Sequence, residues 1–266
     1  MRLELATERM IAEIDGAVGW MIFNNPDRRN AVSLDMWEAI PTILDRFEAD
    51  SAVRVIVLRG AGDKAFVSGA DISQFEQQRA DPAAVAHYDR VGETATNRLA
   101  ASPKPTIAMI RGFCIGGGVG IASSCDLRIA ADDARLAVPA AKLGLGYRWS
   151  GVKKLVDLVG PSHAKEIFFT ARQFTATEAH AMGLLTRVVP VDDLDAFISA
   201  TIDQIAANAP LTMLAAKRTI DELTRTPDQL DRAMCEELVR RCFASEDYIE
   251  GRRAFMEKRK PVFQGK

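Results

Sequence analysis

Two glycine-containing turns are the parts of this sequence that are best suited to chemistry. Residues 111–120 contain three consecutive glycines, at positions 116–118, between an apolar stretch and a stretch of small residues. Residues 66–72, Phe-Val-Ser-Gly-Ala-Asp-Ile, contain a second turn of this kind. Because glycine has no Cβ atom, backbone N–H groups in such turns can approach a ligand closely. Two N–H groups converging on one oxygen would form an oxyanion hole, which stabilises negative charge on a carbonyl oxygen.

Other functions of glycine-rich turns fit the sequence less well. A dinucleotide fingerprint needs G-x-G-x-x-G, but Gly118-x-Gly120 is followed by Ser123 where the third glycine would stand. A phosphate-binding loop needs Gly-Lys-Ser/Thr, which the chain lacks, and neither Ser68 nor Ser123 lies in a G-x-S-x-G nucleophile elbow. Taken alone, the triple glycine could simply let a helix pack closely on a strand. Its pairing with the second turn favours a functional site.

Composition limits the class of protein. The chain has 266 residues, 48% of them hydrophobic, with 34 basic and 36 acidic residues, so it can form a large core but has no basic surface for nucleic acid. Charges near the N-terminus interrupt any signal-peptide core, and no apolar run reaches the length of a membrane span. The four cysteines form no CxxC pair and only three histidines are present, so we expect no metal site and no disulfide. We therefore expect a soluble cytoplasmic protein without nucleic-acid or membrane partners.

Alternating elements surround the glycine turns and would position them. Asp15 and Gly16 separate two apolar segments and predict a hairpin. Ser33 is the predicted N-cap of a helix, which Pro41 should kink or delay. The polar segment 74–82 is predicted to be a mobile surface segment. Strands are predicted at 10–14, 18–23, 53–58, 106–110 and 126–129, and a further helix at 84–101.

The pattern changes toward the C-terminus. Strand, turn and helix alternate at irregular spacing before residue 192, and only helical patterns follow it. We therefore predict an α/β core over 1–191 and a C-terminal helical region over 192–266.

Motifs spread along the chain indicate a known family. They lie at 25–31, 66–72, 104–108, the glycine turn, 125–130, 169–179 and 182–190. In this order they resemble the crotonase (enoyl-CoA hydratase/isomerase) superfamily over essentially the whole chain. The resemblance implies an α/β fold, a spiral of ββα turns with a C-terminal helical region used for trimerisation, and therefore a homotrimer or a hexamer of two trimers. It also implies an acyl-CoA thioester substrate, with coenzyme A as part of the substrate and no other cofactor.

The resemblance implies roles for individual residues. By motif position, the N–H groups of Ala70 and Gly117 would be the two oxyanion donors. Arg28 and Lys258 would meet the phosphates of coenzyme A, and Phe255 would contact its adenine, from this or a neighbouring subunit. Other residues implied in substrate binding are Ser68, Asp71, Ile72, Gly116 and Ala140.

Two acidic side chains of the family's hydratases are missing. Those enzymes carry one glutamate just after the glycine turn and another in the segment 138–144, where this chain has Gly120 and Ala140. Adding water to an enoyl double bond needs general acid–base help, and neither residue can hold a proton. Several isomerases and dehalogenases of the superfamily place an aspartate where Arg148 stands. We therefore do not expect standard hydratase chemistry.

The segment after the second missing glutamate resembles a different subgroup. Residues 145–151, Leu-Gly-Tyr-Arg-Trp-Ser-Gly, are similar to those of methylmalonyl-CoA decarboxylase-type members, as is the C-terminal segment 245–261. In that subgroup a tyrosine at the position of Tyr147 orients the departing carboxylate, which would make Tyr147 catalytic. Arg148 could hold a substrate carboxylate, and Trp149 would line the pocket. The subgroup's histidine at position 70 and glutamate at position 120 are absent, so the match is partial.

These observations predict an acyl-CoA lyase of the decarboxylase type. An oxyanion hole and a desolvating wall could suffice for that reaction without a general base. Two alternatives remain open. One is an enoyl-CoA hydratase or isomerase with a substitute acid or base, such as Asp71 or Glu93. The other is a catalytically silent acyl-CoA-binding protein.

Overall fold

The computed structural model of the chain describes residues 1–71, 82–225 and 227–266. The strands in these ranges are β1 (Met10–Asp15), β2 (Val18–Phe23), β3 (Val55–Gly60), β4 (Ala65–Val67), β5 (Thr106–Ile110), β6 (Phe113–Ile115), β7 (Leu127–Ala131), β8 (Arg135–Ala137), β9 (Phe174–Thr175) and β10 (Arg187–Val189). The α-helices are α1 (Leu34–Ala49), α2 (Pro82–Ala100), α3 (Gly117–Ala122), α4 (Ala140–Leu143), α5 (Trp149–Thr170), α6 (Ala176–Ala181), α7 (Leu194–Ala206), α8 (Pro210–Leu223), α9 (Arg232–Phe243) and α10 (Glu246–Glu257).

The strands form two sheets that are built in alternation. The larger sheet has the order β1-β2-β3-β5-β7-β10, and the smaller has the order β4-β6-β8-β9. Each of the pairs β3–β4, β5–β6 and β7–β8 places its first strand in the larger sheet and its second strand in the smaller one, and helical structure follows each pair. The chain therefore winds as repeated ββα turns, which confirms the predicted fold class.

The predicted N-terminal elements are confirmed with one correction. β1 and β2 pair antiparallel across the Asp15–Gly16 turn, and α1 begins directly after Ser33. Pro41 does not delay the helix, because α1 runs continuously from Leu34 to Ala49 through it. The buried apolar face of α1 packs on the core, and such packing outweighs the backbone hydrogen bond that proline removes. Of the segment expected to be mobile, 74–82, all but its last residue lies outside the described residues.

The elements after β10 are helical, and α7 covers one face of the larger sheet. Leu194, Ile198 and Ile202 of α7 form a buried cluster with apolar side chains of that sheet. Lys217 of α8 donates to Asp126 Oδ2 over 2.8 Å and so ties the later helices to the start of β7. The division into two domains at residue 191 stays a prediction. No helix in the described ranges is long and apolar enough to cross a membrane.

The start of α3 rests directly on the backbone of β4. A Cβ atom added to Gly118 would lie 2.2 Å from Val67 O, so no larger residue fits there without movement of the backbone. A Cβ atom added to Gly120, two residues later in the same helix, would meet no heavy atom of another described residue within 4 Å. Close backbone packing at Gly118 therefore fixes the position of the triple-glycine turn.

These two glycines provide a matched test of that packing. We expect Gly118→Ala to lower the free energy of unfolding by about 1–3 kcal/mol, because the clash is with backbone and cannot be relieved by a rotamer change. Gly120→Ala should change stability little or raise it by up to about 1 kcal/mol, because alanine is the better helix former. Urea denaturation of both variants measures the difference. Equal stability of the two variants would show that α3 does not need this contact.

Candidate active site

The turn after β4 directs the backbone of Ala70 away from the neighbouring loop. Val32 N donates to Gly69 O over 2.8 Å and Asp71 N donates to Val32 O over 3.0 Å, so residues 32 and 70 form a parallel bridge. In such a bridge the middle residue points its own N–H and C=O to the opposite side. Gly69 makes the turn with φ +108°, which favours glycine. The Ala70 N–H is therefore held facing away from Val32.

The glycine turn presents the first N–H groups of α3. Gly116 has φ +54°, and its N–H donates to Ala137 O of β8 over 2.8 Å, which anchors the turn to the smaller sheet. The first hydrogen bond of the helix runs from Gly120 N to Gly116 O over 3.2 Å. The Gly117 N–H precedes that bond, and N–H groups in the first turn have no acceptor within the helix. That this N–H donates to a ligand stays a prediction.

The two turns lie close enough that a side chain on either Gly116 or Gly117 would touch the backbone of Gly69. A Cβ atom added to Gly116 would lie 3.9 Å from Gly69 Cα, and one added to Gly117 would lie 4.0 Å from the carbonyl carbon of Gly69. That carbon is bonded to the nitrogen of Ala70. The structure therefore brings together the two peptide units that the sequence predicts as oxyanion donors. That their N–H groups share one acceptor atom stays a prediction.

The ring of Trp37 forms an apolar floor against this contact. Its Cζ2 atom would lie 3.5 Å from a Cβ atom on Gly117. Its Nε1 donates to the Tyr88 hydroxyl over 2.9 Å, and that hydroxyl donates to Val32 O over 3.1 Å. The hydrogen bonds hold the ring against the same loop that orients Ala70. The sequence analysis did not assign Trp37 to the site, because its place on the apolar face of α1 is that of an ordinary core residue.

Tyr147 lies beside the glycine turn, as its predicted role requires. Its hydroxyl would be 3.9 Å from a Cβ atom on Gly116, and its ring packs edge-on against Phe168 with the centroids 5.1 Å apart. The side chain is 38% exposed, and burial of the rest raises the pKa of the phenol. The hydroxyl is therefore protonated at neutral pH and can donate a hydrogen bond.

The two positions without a glutamate differ in their surroundings. Ala140 is buried as the first residue of α4, close behind the β8 strand that anchors the glycine turn. Gly120 faces space that no described residue fills within 4 Å of an added Cβ atom. A side chain could therefore occupy position 120, but the chain places none there.

A row of polar contacts joins α2 to the start of α5 near this open space. Arg148 Nη2 pairs with Asp89 Oδ2 at 3.2 Å. The guanidinium that was predicted to hold a substrate carboxylate therefore already has a carboxylate partner within the chain. Ser150 Oγ donates to Glu93 Oε1 over 2.5 Å, and Lys154 Nζ donates to Asn97 Oδ1 over 3.0 Å. We call these six residues the polar seam: Asp89, Glu93, Asn97, Arg148, Ser150 and Lys154.

The sequence analysis missed most of the polar seam. Only Glu93 and Arg148 were considered for chemistry. The spacing of 89, 93 and 97 places three polar side chains on one face of α2, which was a usable signal for a polar contact. No local pattern identifies the residues of α5 that meet that face, because they are more than fifty residues away in the chain.

The remaining predicted residues near the first turn lie at its edge. Ser68 Oγ donates to Arg28 O over 3.1 Å, which places Arg28 directly beside the turn. The Arg28 side chain is exposed. Asp71 is buried at the end of the turn. Ile72, also predicted to bind substrate, lies outside the described residues.

Three predicted residues are not brought to the two turns within one chain. Trp149 is the first residue of α5 and is 75% exposed, so it does not line an enclosed pocket of the single chain. Phe255 on α10 is 81% exposed, and Lys258 is the exposed residue that ends that helix. Their contact with coenzyme A stays a prediction that involves a neighbouring subunit.

The cysteines and histidines show no arrangement for metal chemistry in the part of the chain that is described. No group of three or more His, Cys, Asp or Glu side chains there could hold a metal ion. Cys114 and Cys125 are buried, and burial raises the pKa of the Cys125 thiol to about 12. Cys125 is therefore a protonated core residue at neutral pH.

Comparison with known proteins identifies the family. Residues 13–266 match the family described as enoyl-CoA hydratase/isomerase. A short-chain-enoyl-CoA hydratase of Clostridium acetobutylicum is 34% identical over 94% of this chain and 95% of that protein, and a crotonyl-CoA hydratase of Syntrophomonas wolfei is 34% identical over 98% of this chain and 100% of that protein. The solved structure of an enoyl-CoA hydratase/carnithine racemase from Magnetospirillum magneticum has a TM-score of 0.93 and 37% identity, covering 98% of this chain and 97% of that one.

The chain belongs to the enoyl-CoA hydratase/isomerase family, within the crotonase superfamily. It is an enzyme of that family that acts on acyl-CoA. The family assignment confirms the resemblance carried by the sequence motifs.

The environment of Tyr147 generates a prediction about its titration. The chain has three tyrosines, so each phenol can be followed by ultraviolet absorbance. Because burial favours the neutral form, Tyr147 should ionise above the ordinary pKa of about 10, and its contribution to folding should be lost as pH rises through that raised value. Tyr147→Phe should remove one component that ionises above the ordinary value. If Tyr147→Phe instead removes a component that ionises at or below a pKa of about 10, the burial of this hydroxyl would be contradicted.

Proposed function

We propose that the enzyme is a decarboxylase-like lyase that removes a carboxylate from an acyl-CoA thioester. The observation that carries this proposal is the closeness of the Gly69–Ala70 peptide to the Gly116–Gly117 turn, beside the Tyr147 hydroxyl. The positions that hold the family's hydratase glutamates are Gly120 and Ala140 in this chain. The site thus offers N–H donors and a phenol, but no acid or base at those two positions.

The geometry suits a reaction that passes through a thioester enolate. The bond between the α-carbon and the carboxylate breaks, CO₂ leaves, and the electron pair moves into the thioester to give the enolate. The Ala70 and Gly117 N–H groups stabilise the enolate oxygen, and each such donor typically contributes roughly 2.7–4 kcal/mol. Tyr147 or a water molecule then delivers a proton to the α-carbon. Trp37 and Phe168 supply apolar surface that weakens hydration of the departing carboxylate.

Substrate binding requires no further cofactor in this scheme, because coenzyme A is part of the substrate. Arg28 would meet its phosphates from the loop beside Ser68. Phe255 and Lys258 of a neighbouring subunit would contact the nucleotide end, and Trp149 would border the acyl group where subunits meet. We also propose that the enzyme is cytoplasmic, as its sequence suggests.

The exposed apolar surface of the C-terminal helices supports the proposed homotrimer or hexamer. A groove of about 930 Å³ lies between α8, α9 and α10 and is lined mainly by apolar side chains, among them Ile220, Phe243, Tyr248, Phe255 and Met256. Exposed apolar surface of this extent is typical of subunit interfaces. We propose that another copy of the chain covers it.

A second candidate function is hydration or isomerisation of an enoyl-CoA with a substitute acid or base. Glu93 favours it, because its carboxylate lies in the polar seam beside Ser150 and within electrostatic range of Lys154. Relatives of the chain carry the names short-chain-enoyl-CoA hydratase and crotonyl-CoA hydratase. In this scheme Glu93 would do the proton transfer that positions 120 and 140 cannot.

Product analysis separates the candidates. With malonyl-CoA or methylmalonyl-CoA we expect release of CO₂ and formation of acetyl-CoA or propionyl-CoA, and with crotonyl-CoA no hydration. Tyr147→Phe should lower kcat for decarboxylation by roughly 100-fold, as expected for loss of a proton-transfer group. Tyr248→Phe, which removes a hydroxyl from the C-terminal helices, is the matched control and should leave the rate unchanged. An unchanged rate in Tyr147→Phe would exclude that residue from the mechanism.

The other possible results of the product analysis would support the hydratase or the silent binding protein instead. Hydration of crotonyl-CoA without decarboxylation would replace the lyase by the second candidate. Turnover of neither substrate by a protein that binds acyl-CoA would indicate a catalytically silent binding protein.

Glu93→Gln distinguishes the two enzymes at one residue. If decarboxylation is the reaction, we expect this variant to keep kcat, because no step uses the Glu93 carboxylate. If hydration is the reaction, kcat should fall by roughly 100-fold or more, because the amide cannot exchange a proton. Asp89→Asn, one turn earlier on α2, controls for simple loss of charge. Loss of decarboxylation in Glu93→Gln alone would show that the carboxylate belongs to the lyase mechanism.

A further inference from the structure

Lys154 is a partly buried cation that the proposed mechanism does not use. It lies in the second turn of α5, and its Nζ donates to Asn97 Oδ1 over 3.0 Å and to Ser124 Oγ over 3.2 Å. Burial lowers the pKa of this amine, and the nearby Glu93 carboxylate partly opposes that effect. Burying a cation costs free energy unless a partner compensates its charge.

The hydrogen-bond acceptors of Lys154 are neutral, unlike those of neighbouring cations. Lys153 pairs with Asp157 at 2.5 Å and Arg148 pairs with Asp89 at 3.2 Å. Among the described residues no carboxylate lies within ion-pair distance of Lys154, and Glu93 accepts its hydrogen bond from Ser150. Lys154 therefore keeps capacity to bind an anion.

The ammonium group lies at one end of the open space beside α3. Ser124 Oγ donates to Gly120 O over 2.9 Å, so Ser124 stands directly above Gly120, with Lys154 against its hydroxyl. Gly117 and Gly120 share one face of α3 because they are three residues apart, and the Ser124 hydroxyl lies at the C-terminal end of that face. The N–H of Gly117 lies at the other end. Between the two, position 120 has no side chain, and no described heavy atom lies within 4 Å of where its Cβ atom would be.

The hydrogen bonds of Ser124 set how far the ammonium group lies from α3. Ser124 follows the end of α3 at Ala122, and its hydroxyl joins Gly120 O to Lys154 Nζ through hydrogen bonds of 2.9 and 3.2 Å. Gly120 lies three residues after Gly117, a rise of about 4.5 Å along the helix. Because these distances are short, an acyl group of a few carbons that ends in a carboxylate would reach from the thioester oxygen to Lys154.

We propose that Lys154 recognises a carboxylate on the acyl group, so that the ligands of this enzyme are short dicarboxylic acyl-CoA thioesters. The proposal rests on the proposed function in placing the thioester oxygen at Ala70 and Gly117. A lysine binds a carboxylate as a point charge, without the bidentate grip of an arginine. Strong binding of the carboxylate would stabilise the ground state and oppose decarboxylation. A lysine therefore selects the anionic acyl group while stabilising the ground state less than an arginine would.

The test compares two acyl-CoA ligands that differ only at the far end of the acyl chain. Succinyl-CoA and butyryl-CoA have four acyl carbons each, ending in a carboxylate and a methyl group, and enolate formation cannot expel the succinyl carboxylate. We expect the wild-type enzyme to bind succinyl-CoA about tenfold or more tightly than butyryl-CoA, as measured by calorimetry. Lys154→Met should abolish this preference by weakening succinyl-CoA binding while leaving butyryl-CoA binding unchanged.

Two further variants control the experiment. Lys153→Met removes the adjacent lysine, whose partner is Asp157, and should keep the full preference. Lys154→Arg restores a cation and should recover part of the preference, which separates loss of charge from damage to the fold. A wild-type enzyme without the preference, or a Lys154→Met enzyme that retains it, would overturn the proposal.

The binding readout is independent of turnover, so the two proposals can fail separately. A Lys154-dependent preference in an enzyme that does not decarboxylate malonyl-CoA would overturn the lyase and support the carboxylate site. Decarboxylation without any Lys154-dependent preference would support the lyase and overturn the site.

Discussion

The site depends on the contact between two pieces of backbone that carry almost no side chain. β4 and β6 are parallel neighbours, with Ala65 opposite Phe113, so the turns that follow them leave the same edge of the smaller sheet. Gly118 then lets α3 rest on Val67 O, and this contact holds Gly117 against the Gly69–Ala70 peptide. Because the predicted donors are main-chain N–H groups, the sheet register and the absence of Cβ atoms position them.

The side chains around this backbone contact decide which reaction it can serve. Trp37 and Phe168 supply apolar surface, and Tyr147 supplies a neutral hydroxyl. The polar seam supplies charge near α3, because Lys154 donates to Ser124 Oγ, which in turn donates to Gly120 O. Family membership therefore assigns the acyl-CoA chemistry, whereas the reaction depends on residues that lie outside the motifs.

Local patterns predicted the two glycine turns and five strands of the larger sheet, but they predicted neither the short strands of the smaller sheet nor the polar seam. The hairpin, α1 and the glycine turns each have a short sequence signature, because turn chemistry and apolar periodicity act over a few residues. Pro41 does not delay the start of α1, because tertiary packing on the core outweighs the local preference of proline. Lys154 and Ser150 meet α2 across more than fifty residues of chain, so no local signature exists for them. The role of Trp37 at the site was not predicted, because a core residue and a residue that supports a site are both apolar and both lie on the buried face of a helix.

The vacancy beside Gly120 has an evolutionary consequence. Within the described residues, a Cβ atom at this position meets nothing within 4 Å, and the backbone there is ordinary helix, so the fold would tolerate an acidic side chain there. Codons for glycine and glutamate can differ by a single base. An exchange of these two residues would therefore carry little structural risk, since the backbone of the glycine turns is left untouched when this neighbouring side chain changes.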